Sequence, residues 1–385
     1  MNTLKKILKW FLIVLLVLIA SLFLSGKTYL FKAVANTYFK GRSAPSISEY
    51  HIFSNRKVET ENPQNWPAAR DYNQSKLSSE ARNAIESYQT VAFLVLKNDS
   101  VKYEEYWDGF SDTSHSNSFS MGKTIVSILT GIAIDEHKIK SVDEPIGDFL
   151  PEFAKGANAK VTIKNLLTMS SGINFDEDYI NPFAYPAAAY YGNDLKELTY
   201  SYQVTEEPGK VWNYLSGNTE LLSFIVAKAV GKSISEYASE KLWKPMGANK
   251  DAYWSLDHEG GVEKGYCCFN SNARDFARFG ALYLHDGNWK GTQLVSKDYV
   301  HQSIVPANLI DDNGAKNNKY GYSWWLLNYK NHNIFYMRGI LGQYVFVIPD
   351  KNMVVVRLGH KRDKVKVNDH PKDVYVFLDA ALSMD

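Results

Sequence analysis

Cysteine is nearly absent. The 385 residues contain two, Cys267 and Cys268, and they are adjacent. Neighbouring cysteines rarely pair with each other, and no C-x-x-C spacing or histidine cluster accompanies them. Neither a disulfide framework nor a zinc site is therefore expected, and the pair reads as two buried small apolar residues. Net charge is nearly absent too: 43 Lys and Arg against 42 Asp and Glu leave +1. That balance gives no ground for nucleic acid as a partner or for a polybasic surface. Internal repeats and low-complexity tracts are lacking, which argues against a solenoid or an array. What is plentiful is apolar material, 45% hydrophobic and 14% aromatic, enough for one large domain or two interleaved ones.

One long apolar run exists, at the N-terminus. Lys5, Lys6 and Lys9 precede an uncharged stretch from Trp10 to Gly26, and Lys27 closes it. The stretch is at the short end for a membrane span and long for the apolar part of a signal peptide. Ala33-Val34-Ala35 resembles a cleavage site but lies beyond Lys27 and Lys32. Residues 1–35 are therefore expected to be an uncleaved anchor, with the leading lysines cytoplasmic and the remainder exported to the bacterial periplasm. Cleavage would instead release a secreted chain.

Residues 36–80 are polar and loop-like and read as an extended linker, leaving 81–385 as the main domain. Thr90 to Lys97 and Val101 to Trp107 alternate as two strands around a tight turn at Asn98-Asp99-Ser100. A helix is expected over 120–136, a short one over Val161–Gly172 stopped by its glycine, others from Asn218 to Val230 and Ile234 to Leu242, and one capped near Asn270–Asp275 and running to about His285. Residues 173–210, rich in Tyr, Pro, Asn and Asp, read as a long covering loop. Phe335, Tyr344–Ile348 and Met353–Leu358 fall on strands, and Asp373 to Leu382 on a closing helix. Strands at both ends with helices between predict an α+β fold: an antiparallel sheet built from both chain ends, flanked by helices, with a mostly helical insertion over about 140–265.

The chemistry is concentrated in Ser120-Met121-Gly122-Lys123. A serine and a lysine three residues apart on a helix share a face, so the amine reaches the hydroxyl. A serine hydroxyl is a weak nucleophile without an adjacent base, and a lysine desolvated in a pocket can supply one. The following residues, Thr124 to Ile134, are apolar almost all round, so the helix should be buried with Ser120 at its N-terminus. That arrangement suits acyl transfer.

Further segments then recur in a known order: Ser120–Lys123, Val161–Gly172, Pro208-Gly209 followed by Tyr214, Ala273–Gly280, and Gly339–Pro349. Together they resemble the serine β-lactamase-like hydrolases, which include class C β-lactamases, D,D-peptidases, family VIII esterases and 6-aminohexanoate-dimer hydrolases. The resemblance covers roughly residues 85–385 and implies the β-lactamase/D,D-peptidase-like fold. It also implies Ser120 as nucleophile, Lys123 and Tyr214 as the proton-moving pair, and the Ser120 and Ile340 N–H groups as the oxyanion hole. No metal or organic cofactor is implied, and the oligomeric state stays open.

Two motifs depart from the lactamase pattern. Y-x-N becomes Tyr214-Leu215-Ser216; the hydroxyl of Ser216 lacks the amide's donor and acceptor together, and remains free to bond substrate or Lys123. K-T-G becomes Met337-Arg338-Gly339, where Gly339 is expected to let substrate approach the strand. Arg338 either binds a substrate carboxylate or makes a structural ion pair. Both departures are closer to 6-aminohexanoate-dimer hydrolases. Tyr179 in the covering loop, Asn270 and His360 are further candidates: Tyr179 as a substrate contact or a packing residue, Asn270 as a substrate contact or a turn or cap residue, and His360 as an auxiliary proton carrier or a surface histidine. The expected activity is hydrolysis of small esters or linear amides through an acyl-enzyme. The alternatives are a D,D-peptidase, a true β-lactamase, or a catalytically silent anchored binding protein.

Overall fold

The computed structural model describes residues 2–384. Its main sheet has six antiparallel strands. In chain order they are β1 (Thr90–Lys97), β2 (Ser100–Tyr106), β3 (Trp325–Tyr329), β4 (His332–Gly339), β5 (Gln343–Ile348) and β6 (Met353–Gly359), and across the sheet they run β3-β4-β5-β6-β1-β2. The two chain ends meet where β6 pairs β1, from Met353 opposite Lys97 to Leu358 opposite Ala92. Both faces are buried, so these strands read as continuous β-branched and apolar runs. On β1, Ala92, Leu94 and Leu96 enter one apolar core while Phe93 and Val95 enter the other, the period-2 alternation of a strand.

Six helices frame the site and the N-terminal segment: α1 (Asn2–Leu24), α2 (Tyr29–Asn36), α3 (Met121–Asp135), α4 (Ser216–Val230), α5 (Ala273–Leu284) and α6 (Lys372–Leu382). Helix α5 lies across β5 and β6. A side chain at Gly280 would come within 2.7 Å of Val354 and 2.9 Å of Val345, so the glycine lets the helix settle on the sheet. Helix α6 covers the opposite face with Phe377 and Leu378. Helix α3, apolar on every side, is buried along nearly its whole length and packs against α4 and β4.

Several local expectations change. The short helix near 161 is Ile163–Leu167; Gly172 lies beyond it in a left-handed turn, where a side chain would meet the Glu206 carbonyl at 2.2 Å. The covering loop is not wholly irregular, because Tyr185–Tyr191 and Leu195–Tyr200 are helical. The supposed linker contributes a strand, Asn55–Val58, to a second four-stranded sheet with Ala252–Ser255, Phe269–Ser271 and Ser116–Asn117. Cys267 and Cys268 are joined as a disulfide, contrary to the expectation that neighbours do not pair. Cys268 adopts the left-handed conformation, φ 68°, which a strand or helix pattern does not announce.

His370 shows what burial does to a titrating group. It is 3% exposed, its Nδ1 lies 2.6 Å from the Tyr336 hydroxyl, and burial together with the nearby Arg338 cation pushes its pKa down to about 3. Between that value and the ordinary one the unfolded chain binds a proton that the fold refuses. Stability is therefore expected to fall as pH drops from about 6.5 towards 3, by up to about 1.4 kcal/mol per unit from this residue. Denaturant melts at pH 7 and pH 4.5 should show a smaller acid loss in His370→Asn than in the parent chain. An equal loss in both would refute the assignment.

Candidate active site

Ser120 stands immediately before α3, at the end of a strained turn. Phe119, buried, has φ 44°, a conformation costing about 1–2 kcal/mol for a residue with a Cβ. The surroundings hold it there: the Phe119 N–H donates to Asn117 Oδ1 at 2.8 Å, and the Ser118 N–H donates to the Phe269 carbonyl at 2.9 Å. The turn presents the Ser120 hydroxyl without committing it to capping the helix. Lys123, one turn along α3, is 1% exposed, and its Nζ donates to Ser120 Oγ at 3.1 Å and to the Tyr266 carbonyl at 3.1 Å. No carboxylate lies within ion-pair distance of Lys123 among the described residues. The amine is instead flanked by rings, 5.1 Å from the centroid of Tyr214 and 5.4 Å from that of Tyr266. Tyr214 enters the same locus just before α4, its ring packed 5.5 Å from Trp325 and 6.0 Å from Tyr320. Ser120, Lys123 and Tyr214 thus come together.

Tyr266, whose carbonyl holds Lys123, is itself held through its N–H. Glu220 on α4 is fully buried and accepts the Tyr266 N–H at 3.2 Å. Burial pushes its carboxyl up to about 8. Lys264, equally buried, donates to the Ala189 carbonyl at 3.0 Å, and burial drives its ammonium down to about 7. Sequence reasoning does not find either residue. Both sit in stretches without a recognisable motif, and only the fold brings Glu220 to the Tyr266 N–H and Lys264 to the Ala189 carbonyl.

Gly339 ends β4 against the turn that leads to Ser120. A Cβ there would lie 2.3 Å from the Ser118 carbonyl. The missing side chain therefore makes room for the backbone leading to Ser120. Ile340 follows at once in a tight turn closed by Leu341 at φ 61°. Arg338, immediately before Gly339, forms no ion pair among the described residues. Its guanidinium lies over the Trp325 ring, and Nη1 is buried without a partner.

Ser216 does not bond Lys123. Its hydroxyl and its N–H both donate to Glu177, the N–H at 2.7 Å, and the Tyr179 hydroxyl donates to the same carboxylate at 2.8 Å. Glu177 is invisible to sequence reasoning although it lies two residues before Tyr179. An acidic residue in a loop carries no pattern until its partner is known. Tyr179 is half exposed at the rim. Asn270 is displaced from the expected role: it is fully buried in the second sheet, where Nδ2 donates to the carbonyls of Tyr253 and Cys268. The helix cap is Asn272, whose Oδ1 accepts the Asp275 N–H. His360 makes no contact with Ser120 or Lys123. Its backbone N–H donates to the Gln89 carbonyl and its ring borders a separate cavity with Arg42, Trp107, Asp108 and Leu341; burial lowers its pKa.

The fold and this Ser–Lys pair at a buried helix N-terminus are those of the β-lactamase-fold serine hydrolase family. The Beta-lactamase family model matches residues 80–375, and the chain belongs to that family. It is 26% identical over 320 residues to the 6-aminohexanoate-dimer hydrolase of Paenarthrobacter ureafaciens, covering 78% of this chain and 80% of that one. Among solved structures, a Bacillus anthracis protein with a provisional 6-aminohexanoate-dimer hydrolase name superposes with a TM-score of 0.76 at 21% identity, over 88% of this chain and 92% of its own. A family VIII carboxylesterase gives 0.63 at 17% identity, over 84% and 99%.

Proposed function

We propose that this protein hydrolyses small esters or linear amides through an acyl-enzyme on Ser120. The observation that carries the reading is the buried Lys123 amine, 3.1 Å from Ser120 Oγ and free of any carboxylate among the described residues. Lys123 takes the hydroxyl proton as Ser120 attacks the carbonyl carbon. Tyr214, against the same amine, relays that proton to the leaving group. The Ser120 and Ile340 N–H groups stabilise the oxyanion, an effect worth roughly 3–4 kcal/mol per donor in a water-excluded site. Water then attacks the acyl carbon by the reverse proton path and frees Ser120. The apolar helix α1, whose side chains the domain leaves unburied, serves as an uncleaved anchor. Supporting this, α2 just beyond it is knitted into the domain: Tyr29 and Ala33 pack on the core and Arg42 donates to the Asn36 carbonyl at 2.8 Å.

The substrate preference follows from which polar groups face the cleft. Ser216 is spent on Glu177, and Met337 and Arg338 stand where a lactamase carries lysine and threonine. A site lacking polar partners discriminates poorly for ligands that need them. Short-chain ester or linear amide hydrolysis is therefore expected to exceed cephalosporin hydrolysis by at least about tenfold in kcat/KM, about 1.4 kcal/mol of transition-state binding. A panel of chromogenic esters, short amides and a cephalosporin checks this. Efficient cephalosporin turnover with negligible esterase activity would restore the lactamase reading.

A further inference from the structure

The covering loop carries large apolar side chains that the domain leaves uncovered. Ile180 is 93% exposed and Phe183 52%. Scattered single apolar residues on a surface are ordinary, but these two share one loop, and their position is specific. The Tyr29 hydroxyl donates to the Pro182 carbonyl at 3.0 Å, and Lys27 Nζ lies 5.4 Å from the centroid of the Phe183 ring. Phe23 in the last turn of α1 lies 5.7 Å from Phe31 of α2. Lys27, which fastens the loop at Phe183, stands within three residues of Leu24, where α1 ends.

The uncharged stretch from Trp10 to Gly26 holds 17 residues, which at the helical rise is roughly 26 Å, the short end for crossing a bilayer's hydrocarbon core. The headgroup layer adds only about 5–8 Å on each side. Lys27, and with it Phe183, falls inside that layer. Tyr38 and Phe39, just past α2, are 70% and 82% exposed, and aromatic side chains favour this zone. Lys27 and Lys32 add the positive charge that attracts anionic lipid. Of the loop's acids, Glu177 is engaged by Ser216 and Tyr179, and Asp178, exposed, accepts the N–H of Ile180 at 2.8 Å. The same loop borders the cleft, since Glu177 grips the first residue of α4, two positions after Tyr214.

We propose that the loop tip at Ile180–Phe183 docks on the bilayer that holds α1, so that the Ser120 cleft opens at the membrane surface and receives acyl esters or amides carried by membrane amphiphiles. This rests on the proposed hydrolase activity and on α1 acting as an anchor. The occupant is the bilayer rather than a protein because the patch is continuous with the anchor's own exit point. An acyl chain leaving the lipid would enter the cleft past this loop, while a soluble short-chain ester would have no need of it.

The test uses the full chain in nanodiscs of phosphatidylcholine and phosphatidylglycerol. An environment-sensitive fluorophore on Ile180→Cys should show a blue-shifted emission that brominated lipid quenches. A water-like spectrum overturns docking, and shielding that appears only in discs holding two copies assigns the patch to a second chain and overturns it as well. In the kinetic arm, Ile180→Asp combined with Phe183→Asp should lower kcat/KM on a long-chain ester embedded in the disc by at least about tenfold, while a soluble short-chain ester stays within about twofold. Equal loss on both substrates, or loss on neither, overturns the proposal. Should the parent chain cleave neither ester, the hydrolase reading and the substrate claim fall together, while the fluorophore still decides docking. Recovery from cells of a mature chain beginning near Asn36 would end the anchor reading and the inference with it.

Discussion

Ser120→Ala is expected to abolish covalent labelling by a fluorophosphonate and to reduce ester turnover by about 10⁴-fold or more, the scale seen when a nucleophile acting in a concerted unit is removed. The hydroxyl accepts a hydrogen bond from Lys123 Nζ, takes no part in capping α3, and sits at the end of a turn strained at Phe119. Such strain persists only where the surroundings over-determine it, and it clusters at functional sites. Removing one hydroxyl leaves the turn and the packing intact, so the variant should fold with a melting temperature close to the parent's. Mass spectrometry of the labelled parent should place one adduct on the peptide containing Ser120. Labelling that survives Ser120→Ala would put the nucleophile elsewhere.

The second large effect concerns the proton path. Lys123→Ala and Tyr214→Phe should each lower kcat by roughly 10²–10⁴-fold, the range of general acid–base catalysis. Among the described residues Lys123 is the only amine in hydrogen-bond contact with Ser120, and the Tyr214 ring lies 5.1 Å from that amine. If the two groups pass one proton, the second loss removes little that the first has left. The double variant should then be far less impaired than the product of the single losses. Full multiplicativity would mean two independent contributions and would refute a shared path. The Tyr214→Phe arm is the cleaner one, because the ring and its packing on Trp325 and Tyr320 are kept and only the hydroxyl is lost.

Glu177 changes what the serine in Y-x-S means. Taken alone, Ser216 is a shorter stand-in for an amide that could face substrate or lysine. In the fold it ties the covering loop to the first turn of α4 through both its hydroxyl and its N–H. A carboxylate at a helix N-terminus is favoured by the exposed N–H groups there, so the contact serves the helix and the loop together. Gly339 is similar. Its small size is used by the Ser118 carbonyl, and this close approach brings the end of β4 against the turn that leads to Ser120.

What the sequence determined by itself was whatever depends on neighbours along the chain. Strands β1 and β6 were legible because β-branched runs bounded by turns need no partner to be recognised. Helix α3 was legible from its unbroken apolar run, and the Ser120–Lys123 contact from helical spacing alone, since residues three apart meet wherever the helix goes. The membrane-span candidate was legible for the same reason. Tertiary structure decided everything that joins distant segments. The second sheet pairs Asn55–Val58 with Ala252–Ser255, across nearly 200 positions that no local pattern links. The Tyr266 carbonyl on Lys123, the Glu220 carboxylate on the Tyr266 N–H, and the Cys267–Cys268 bridge depend on a segment with no regular periodicity. Its conformation is set by packing against α3 and α4. Arg338 was visible as a charge, but only the fold stacks it on Trp325 and leaves one nitrogen unpartnered. Polar contacts of this kind are chosen by where buried groups find partners in three dimensions, and spacing along the chain does not encode that.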